Sequence, residues 1–153
     1  MIYCEMRSPV GILYVAEEDN KIIFVGDDKP QNGKKGDSTL LQKAKKQLEE
    51  YFESSRKIFD LPLNPQGTVF QKAVWKALAE VPYGKTSTYG ELAEKVSTKG
   101  ASRAVGSAMA KNPISVILPC HRILPAGGKL GNYSMGGPAN KEWLLLMEKQ
   151  NTL

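Results

Sequence analysis

Histidine occurs once in this 153-residue chain and cysteine twice, and no apolar run approaches the ~18 residues that cross a bilayer. Cys4 and Cys120 form no Cys-x-x-Cys pair, and with His121 as the sole imidazole a structural zinc site lacks ligands. The opening MIYCEMRSPVG has no basic segment leading into an apolar one, so no secretory leader is expected. The protein is therefore expected in the cytoplasm, or in the nucleus of a eukaryote, with both thiols reduced. No internal repeat is visible. What is present is ordinary for a globular protein: 41% hydrophobic and 24% charged residues, in a length that suits one compact molecule with two subdomains. The charge is unevenly placed. Residues 1–66 hold 10 Lys+Arg and 11 Asp+Glu, net −1, whereas residues 67–153 hold 11 and 5, net +6. A basic second half fits a polyanionic partner, and equally a solvated surface kept for solubility.

The first half reads as three short strands, 2–7, 11–16 and 21–26, with turn signals at Ser8-Pro9 and Asp19-Asn20. The polar, Gly-rich stretch 27–38 reads as a loop. A helical pattern over 39–54 places Leu40, Leu41, Ala44, Leu48, Tyr51 and Phe52 on one side. DLPLNPQG, 60–67, is the best linker candidate. Beyond it, Thr68 and Gln71 form a capping-box pattern opening a helix that ends near Val81-Pro82. Thr88 with Glu91 opens a second helix, about 88–96. Gly100 separates it from a third, about 101–111, which stops at Asn112-Pro113. Two short helices around a Gly turn form a helix-turn-helix pattern. An apolar strand is expected over 114–118, a hairpin-like stretch over 125–137, and a last helix from Pro138. The expected class is α/β (α+β): a small N-terminal sheet-and-helix subdomain with its linker, 1–66, then a helical, winged helix-turn-helix subdomain, 67–153.

VILPCHRI, 116–123, carries the chemistry. A thiol is a weak nucleophile until it loses its proton, and an adjacent imidazole can take that proton when a third group orients it. A bare Cys-His dipeptide would read more simply as a buried cysteine beside a surface histidine. The surroundings alter that balance. Pro119-Cys120-His121-Arg122-Ile123 closely resembles the active-site motif of the O6-alkylguanine-DNA alkyltransferases. RAVGSAMAKNP, 103–113, resembles that family's recognition helix, GNYSMGG, 131–137, its binding-site loop, and KEWLLLME, 141–148, its final helix. Over 68–149 the match is almost continuous and in order. Over 1–66 it is weaker, carried by SPVG before a short strand.

The resemblance implies direct-reversal DNA repair: an alkyl group moves from O6-alkylguanine, and from O4-alkylthymine, in double-stranded DNA to Cys120, and the protein is consumed. It implies a monomer that needs no cofactor or metal and has no membrane partner. His121 would activate Cys120 through a water, Glu148 orient His121, and Asn112 hold the turn around the thiol. Tyr89 would protonate the departing guanine and sit near its phosphate. Arg103 would fill the gap left by the extruded nucleotide, with Ala101, Ser102, Ala104 and Arg122 also at the DNA. Val116, Ile117, Leu118, Asn132, Tyr133 and Ser134 would line or bond the base pocket. The stretch between Ser134 and Lys141 is one residue longer than the family's usual pattern, which leaves Glu142 as an alternative to Glu148.

The third helix makes physical sense at DNA. Ala101, Ser102, Ala104, Gly106, Ser107, Ala108 and Ala110 keep it thin, and a thin helix eases the misfit with a minor groove about 6 Å wide. One long cation among small neighbours can act as a wedge. The same composition also suits close packing against another helix. Two other readings compete: a module that holds the lesion without chemistry, which in the alkyltransferase-like proteins has Trp or Ala where Cys120 stands, and a winged-helix regulator, which would have more base-reading side chains on the third helix. Gly84-Lys85-Thr86 shares the end of a phosphate-binding loop, but Ala79 stands where its first glycine is required. Cys4, in the first strand, reads as packing.

Overall fold

The computed structural model describes residues 1–96 and 102–152. The chain forms two compact units, residues 1–66 with 113–115, and residues 67–112 with 116–153.

The first unit is a four-stranded sheet with one helix. Strands β1 (Ile2–Ser8), β2 (Gly11–Glu18) and β3 (Lys21–Gly26) form an antiparallel meander, and β4 (Lys34–Lys35) adds to the β1 edge in parallel, giving the order β3-β2-β1-β4. The β2–β3 turn is Asp19-Asn20, both at positive φ (52° and 60°), as a two-residue hairpin loop of matching twist requires. A register shift at Ala16/Glu17 lets Val15 and Ala16 both turn inward. Helix α1 (Thr39–Phe52) is capped by Ser38, whose Oγ accepts from the Leu41 amide at 3.0 Å, and lays Leu40, Leu41, Ala44, Leu48 and Tyr51 on the sheet. Buried Gln47 exchanges two hydrogen bonds with the backbone of Asp60, tying down the start of the expected linker, and Leu63 makes a parallel bridge to Ile22. The loop expected over 27–38 thus contains a strand. β4 is two lysines held by backbone pairing and by the Lys35–Glu5 ion pair at 3.1 Å, which leaves no hydrophobic alternation to read.

The second unit is helical. Helix α2 (Val69–Ala79) opens on the complete capping box of Thr68 and Gln71. A two-residue strand β5 (Ser87–Thr88) leads into α3 (Tyr89–Val96), whose start is capped as expected: the Glu91 amide donates to Thr88 Oγ1 at 3.1 Å. Helix α4 (Ser102–Ala110) packs on α2 and α3, and Trp75 Nε1 of α2 donates to the Ala108 carbonyl at 2.9 Å. Ala101 and Gly100, given roles above, lie outside the described residues. After α4 come a single 3-10 turn, Cys120–Arg122, strand β6 (Ile123–Leu124), and helix α5 (Pro138–Gln150).

Two expectations between α4 and α5 are corrected. The strand over 114–118 reduces to one bridge, Ile114 to Val25, followed by a turn in which Val116 takes φ 72°. A β-branched residue rarely adopts this conformation, and a run of Ile, Val and Leu gives no sign of it. The stretch 125–137 carries no strand. Gly127, Gly128, Gly131, Gly136 and Gly137 are all at positive φ, so the chain coils instead of laddering. At Gly131 the need is also steric, since a Cβ would stand 2.7 Å from the Pro125 ring. The sheet of this unit is the parallel pair β5–β6, with Ser87 opposite Ile123 and Thr88 opposite Leu124.

Candidate active site

The β5–β6 pair assembles the site. Tyr89 follows β5 directly and Cys120–Arg122 precedes β6 directly, so two ladder rungs bring the start of α3 beside the cysteine. The approach to Cys120 is a tight turn: the Asn112 side chain donates to the Leu118 carbonyl at 2.9 Å, and the Cys120 amide donates to the same carbonyl at 2.8 Å. Cys120, 4% exposed, reaches a cavity of about 260 Å³ lined by Tyr89, Gly106, Met109, Ala110, Cys120, Asn132, Tyr133 and Ser134.

Behind the cysteine lies a buried polar cluster. His121 is fully buried and its Nε2 is 2.7 Å from Glu148 Oε2. Glu148 also accepts two bonds from Arg122, at 2.8 and 3.1 Å, and one from the Gly84 amide at 3.2 Å. Burial alone would push the Glu148 carboxyl up, but hydrogen bonds and charge from His121, and then from Arg122, outweigh it and hold the group at about 2. Burial pulls His121 below its ordinary 6.5 despite Glu148, so the ring is neutral near pH 7. An ionised carboxylate only accepts, so His121 Nε2 must carry the hydrogen and Nδ1 is the basic nitrogen. Burial raises the Cys120 thiol above 9.0, while Asn112, the Lys141 ammonium and a backbone amide pull part of the way back. The resting pair is therefore a thiol beside a neutral imidazole. Tyr89 is also raised, first by burial and then by Cys120. Among the described residues no group of three or more His, Cys, Asp or Glu is placed to hold a metal, and no helix is long and apolar enough to cross a membrane.

Two family models cover nearly the whole chain: the DNA binding domain of 6-O-methylguanine DNA methyltransferase over residues 69–150, and the ribonuclease-like domain of the same family over residues 1–65. The chain belongs to this family. The methylated-DNA–protein-cysteine methyltransferase of Methanosarcina acetivorans is 43% identical, over 97% of this chain and 98% of the relative. The constitutive enzyme of that name from Bacillus subtilis is 36% identical, over 96% and 94%. The crystal structure of Mycobacterium tuberculosis OGT in complex with DNA superposes with a TM-score of 0.92 at 38% identity, over 99% of this chain and 94% of that one.

Within this family member the expected site residues fall into three groups. Cys120, Tyr89, Asn132, Tyr133 and Ser134 meet at the cavity, and His121, Glu148 and Asn112 stand directly behind it. Glu148, 1% exposed, and not the exposed Glu142, faces His121, so the extra loop residue leaves the helix register intact. Ser102, Arg103 and Ala104 are exposed together on α4. The third group is corrected. Val116, Ile117 and Leu118 lie outside the cavity lining; Val116 and Leu118 are buried and form the turn that delivers Cys120. Arg122 is not at the surface: it is buried, bonded to Glu148 and, through Nη1, to the Val81 carbonyl at 2.8 Å. A buried carboxylate needs a cation nearby, and Arg122 supplies it. Sequence reasoning missed Lys141 and Met109. The signal for Lys141 was its register, three residues before Leu144 and seven before Glu148 on the inward face of α5.

Proposed function

We propose that this protein repairs DNA by direct reversal, taking the alkyl group of O6-alkylguanine, or of O4-alkylthymine, onto Cys120 and ending its own activity. The observation that carries this reading is a thiol at the wall of a cavity with a neutral histidine, backed by an ionised carboxylate, directly behind it. His121 Nδ1 accepts the thiol proton through a water. Cys120 Sγ then attacks the alkyl carbon, an S–C bond forms, and the C–O6 bond breaks with its electron pair going to guanine. Guanine takes a proton from the Tyr89 hydroxyl, and the proton held on His121 replaces it through solvent, so charge balances. The thioether does not reverse, which makes the reaction stoichiometric.

The unit containing α2–α5 would supply both DNA binding and chemistry. Arg103 would replace the extruded base, and Ser102 and Ala104 would lie against the groove. Asn132, Tyr133 and Ser134 would hold the base. The protein would act as a monomer in the cytoplasm. A module that merely holds the lesion would have no use for a thiol with a histidine and a carboxylate behind it. Intact mass after incubation with duplex O6-methylguanine should show a gain of one methyl group, mapped to Cys120. Cys120→Ala should gain none and still bind the duplex. Methyl transfer by that variant would overturn the assignment.

A further inference from the structure

Lys141 is a fully buried lysine on the first turn of α5, and the chemistry above does not use it. Its Nζ donates to the Ile123 carbonyl at 2.7 Å and to the Asn132 carbonyl at 3.2 Å. Those carbonyls stand at the two ends of the glycine-rich segment that brings Asn132, Tyr133 and Ser134 to the cavity. A Cβ at Gly131 would come within 3.5 Å of the same nitrogen, so the loop backbone closes tightly around it. No ion pair joins Lys141 to a carboxylate among the described residues. A buried ammonium held only by neutral carbonyls is costly, and an ammonium has three hydrogens for two acceptors here.

A deprotonated Cys120 would be such an anion: its turn runs directly into Ile123, whose carbonyl Lys141 holds, and Asn132, the other acceptor, lines the same cavity as Cys120. The two groups feel each other: Lys141 favours the thiolate, and Cys120 favours the ammonium. Among the described residues, the other groups around the thiol supply no unpaired cation. Tyr89 of α3 and Asn112 at the end of α4 are neutral, His121 is neutral, and the Arg122 cation is spent on Glu148.

We propose that Lys141 is a positioning residue that supplies the counter-charge for the Cys120 thiolate and, with the same ammonium, fastens both ends of the loop that forms the base pocket. This rests on Cys120 being the alkyl acceptor. An opposite charge close to a buried thiol favours its ionised form by about one pK unit or more, equivalent to about tenfold in thiolate fraction near neutral pH.

The test needs no DNA. In a Cys4→Ser background only Cys120 reacts with iodoacetamide, and its rate against pH gives the thiolate midpoint. Lys141→Met, which keeps the length and apolar stem, should raise that midpoint by about one unit, leaving about tenfold less thiolate near neutral pH. Lys141→Arg should restore most of the shift. A purely structural clamp would lower the melting temperature of Lys141→Met and leave the midpoint in place, and that result overturns the proposal. Should Lys141→Met not fold, the reciprocal measurement keeps the question open to refutation. The Lys141 Cε resonance should titrate at lower pH in Cys120→Ala than in the unaltered protein, and equal midpoints refute the coupling. Methyl transfer from duplex DNA to Cys120, read separately by mass, can succeed while the midpoint stays fixed. The proposal then fails and the reading of Cys120 stands.

Discussion

At the scale of single residues, the buried His121–Glu148–Arg122 cluster ties stability to pH. The folded His121 titrates below 6.5, so under acid the unfolded chain binds a proton that the folded chain refuses, and stability falls as pH drops below 6.5. Glu148 adds a second limb. Its folded value is about 2 against an ordinary 4.5, so its contribution is complete above 4.5 and is lost as pH falls from there to about 2. Cys120 sets the alkaline side: its value is raised, so its contribution is full below 9.0 and disappears as pH rises through the folded value. Urea midpoints should therefore be highest between these limits. Glu148→Gln should erase the limb below 4.5 and cost ~3–5 kcal/mol at neutral pH, because it strands the Arg122 charge in the interior. Glu142→Gln, at an exposed position, should change stability by less than ~0.5 kcal/mol. An unchanged acid limb in Glu148→Gln would show that this carboxylate is not the group concerned. Glu148 was named in the sequence through the resemblance of the WLLLME run, with Glu142 left open beside it until the structure showed which one faces His121. The roles of Arg122 and Lys141 were not legible, because a lone Arg or Lys in a motif reads as a surface cation until its burial is seen.

At the scale of elements, legibility followed the source of the signal. Helices with local caps were readable to within a residue or two: Thr68 and Gln71 open α2, Thr88 and Glu91 open α3, and Pro138 opens α5. The turn at Val116 and the coil over 125–137 were not, because positive φ, not side-chain periodicity, shapes them. Helix α4 settles an ambiguity that composition left open. Val105, Ala108 and Met109 face inward, whereas Ser102, Arg103, Ala104, Ser107 and Ala110 are exposed, so of the small residues Ala108 packs under Trp75 and most of the others lie on the open face. A thin exposed face with one long cation is what a wedge in a narrow groove requires. If Arg103 offsets ~2 kcal/mol of the cost of extruding a base, Arg103→Ala should slow methyl transfer from duplex O6-methylguanine about 30-fold at saturating protein. Free O6-benzylguanine needs no extrusion, and its reaction with Cys120 should be unchanged. Equal slowing of both, with a lowered melting temperature, would mean that Arg103 supports the fold.

At the scale of the whole molecule, charge separates a general from a local contribution to DNA binding. Residues 67–153 carry net +6, but Arg122, Lys141 and Glu148 are buried. The positive charge available to phosphates is therefore in exposed residues such as Lys72, Lys76, Lys85, Lys95, Arg103 and Lys111. If about four of these meet phosphates, log affinity should fall with log salt at a slope of about −3.6, roughly a hundredfold loss between about 50 and 200 mM. The exposed face of α4 has few side chains able to read base edges, so undamaged duplexes of different sequence should bind within a few-fold of one another. The reaction with free O6-benzylguanine involves no phosphate and should stay constant over the same salt range, provided the fold does. Anisotropy titrations at several salt concentrations measure the first quantity, and single-turnover labelling of Cys120 measures the second. A slope near zero would remove phosphate contact as the basis of binding. A strong preference for one unmodified sequence would mean that the helix reads bases, and the protein would then be a regulator rather than a scanning repair protein. A labelling rate that fell with salt as steeply as DNA affinity would trace the salt effect to the pocket itself and away from the basic surface.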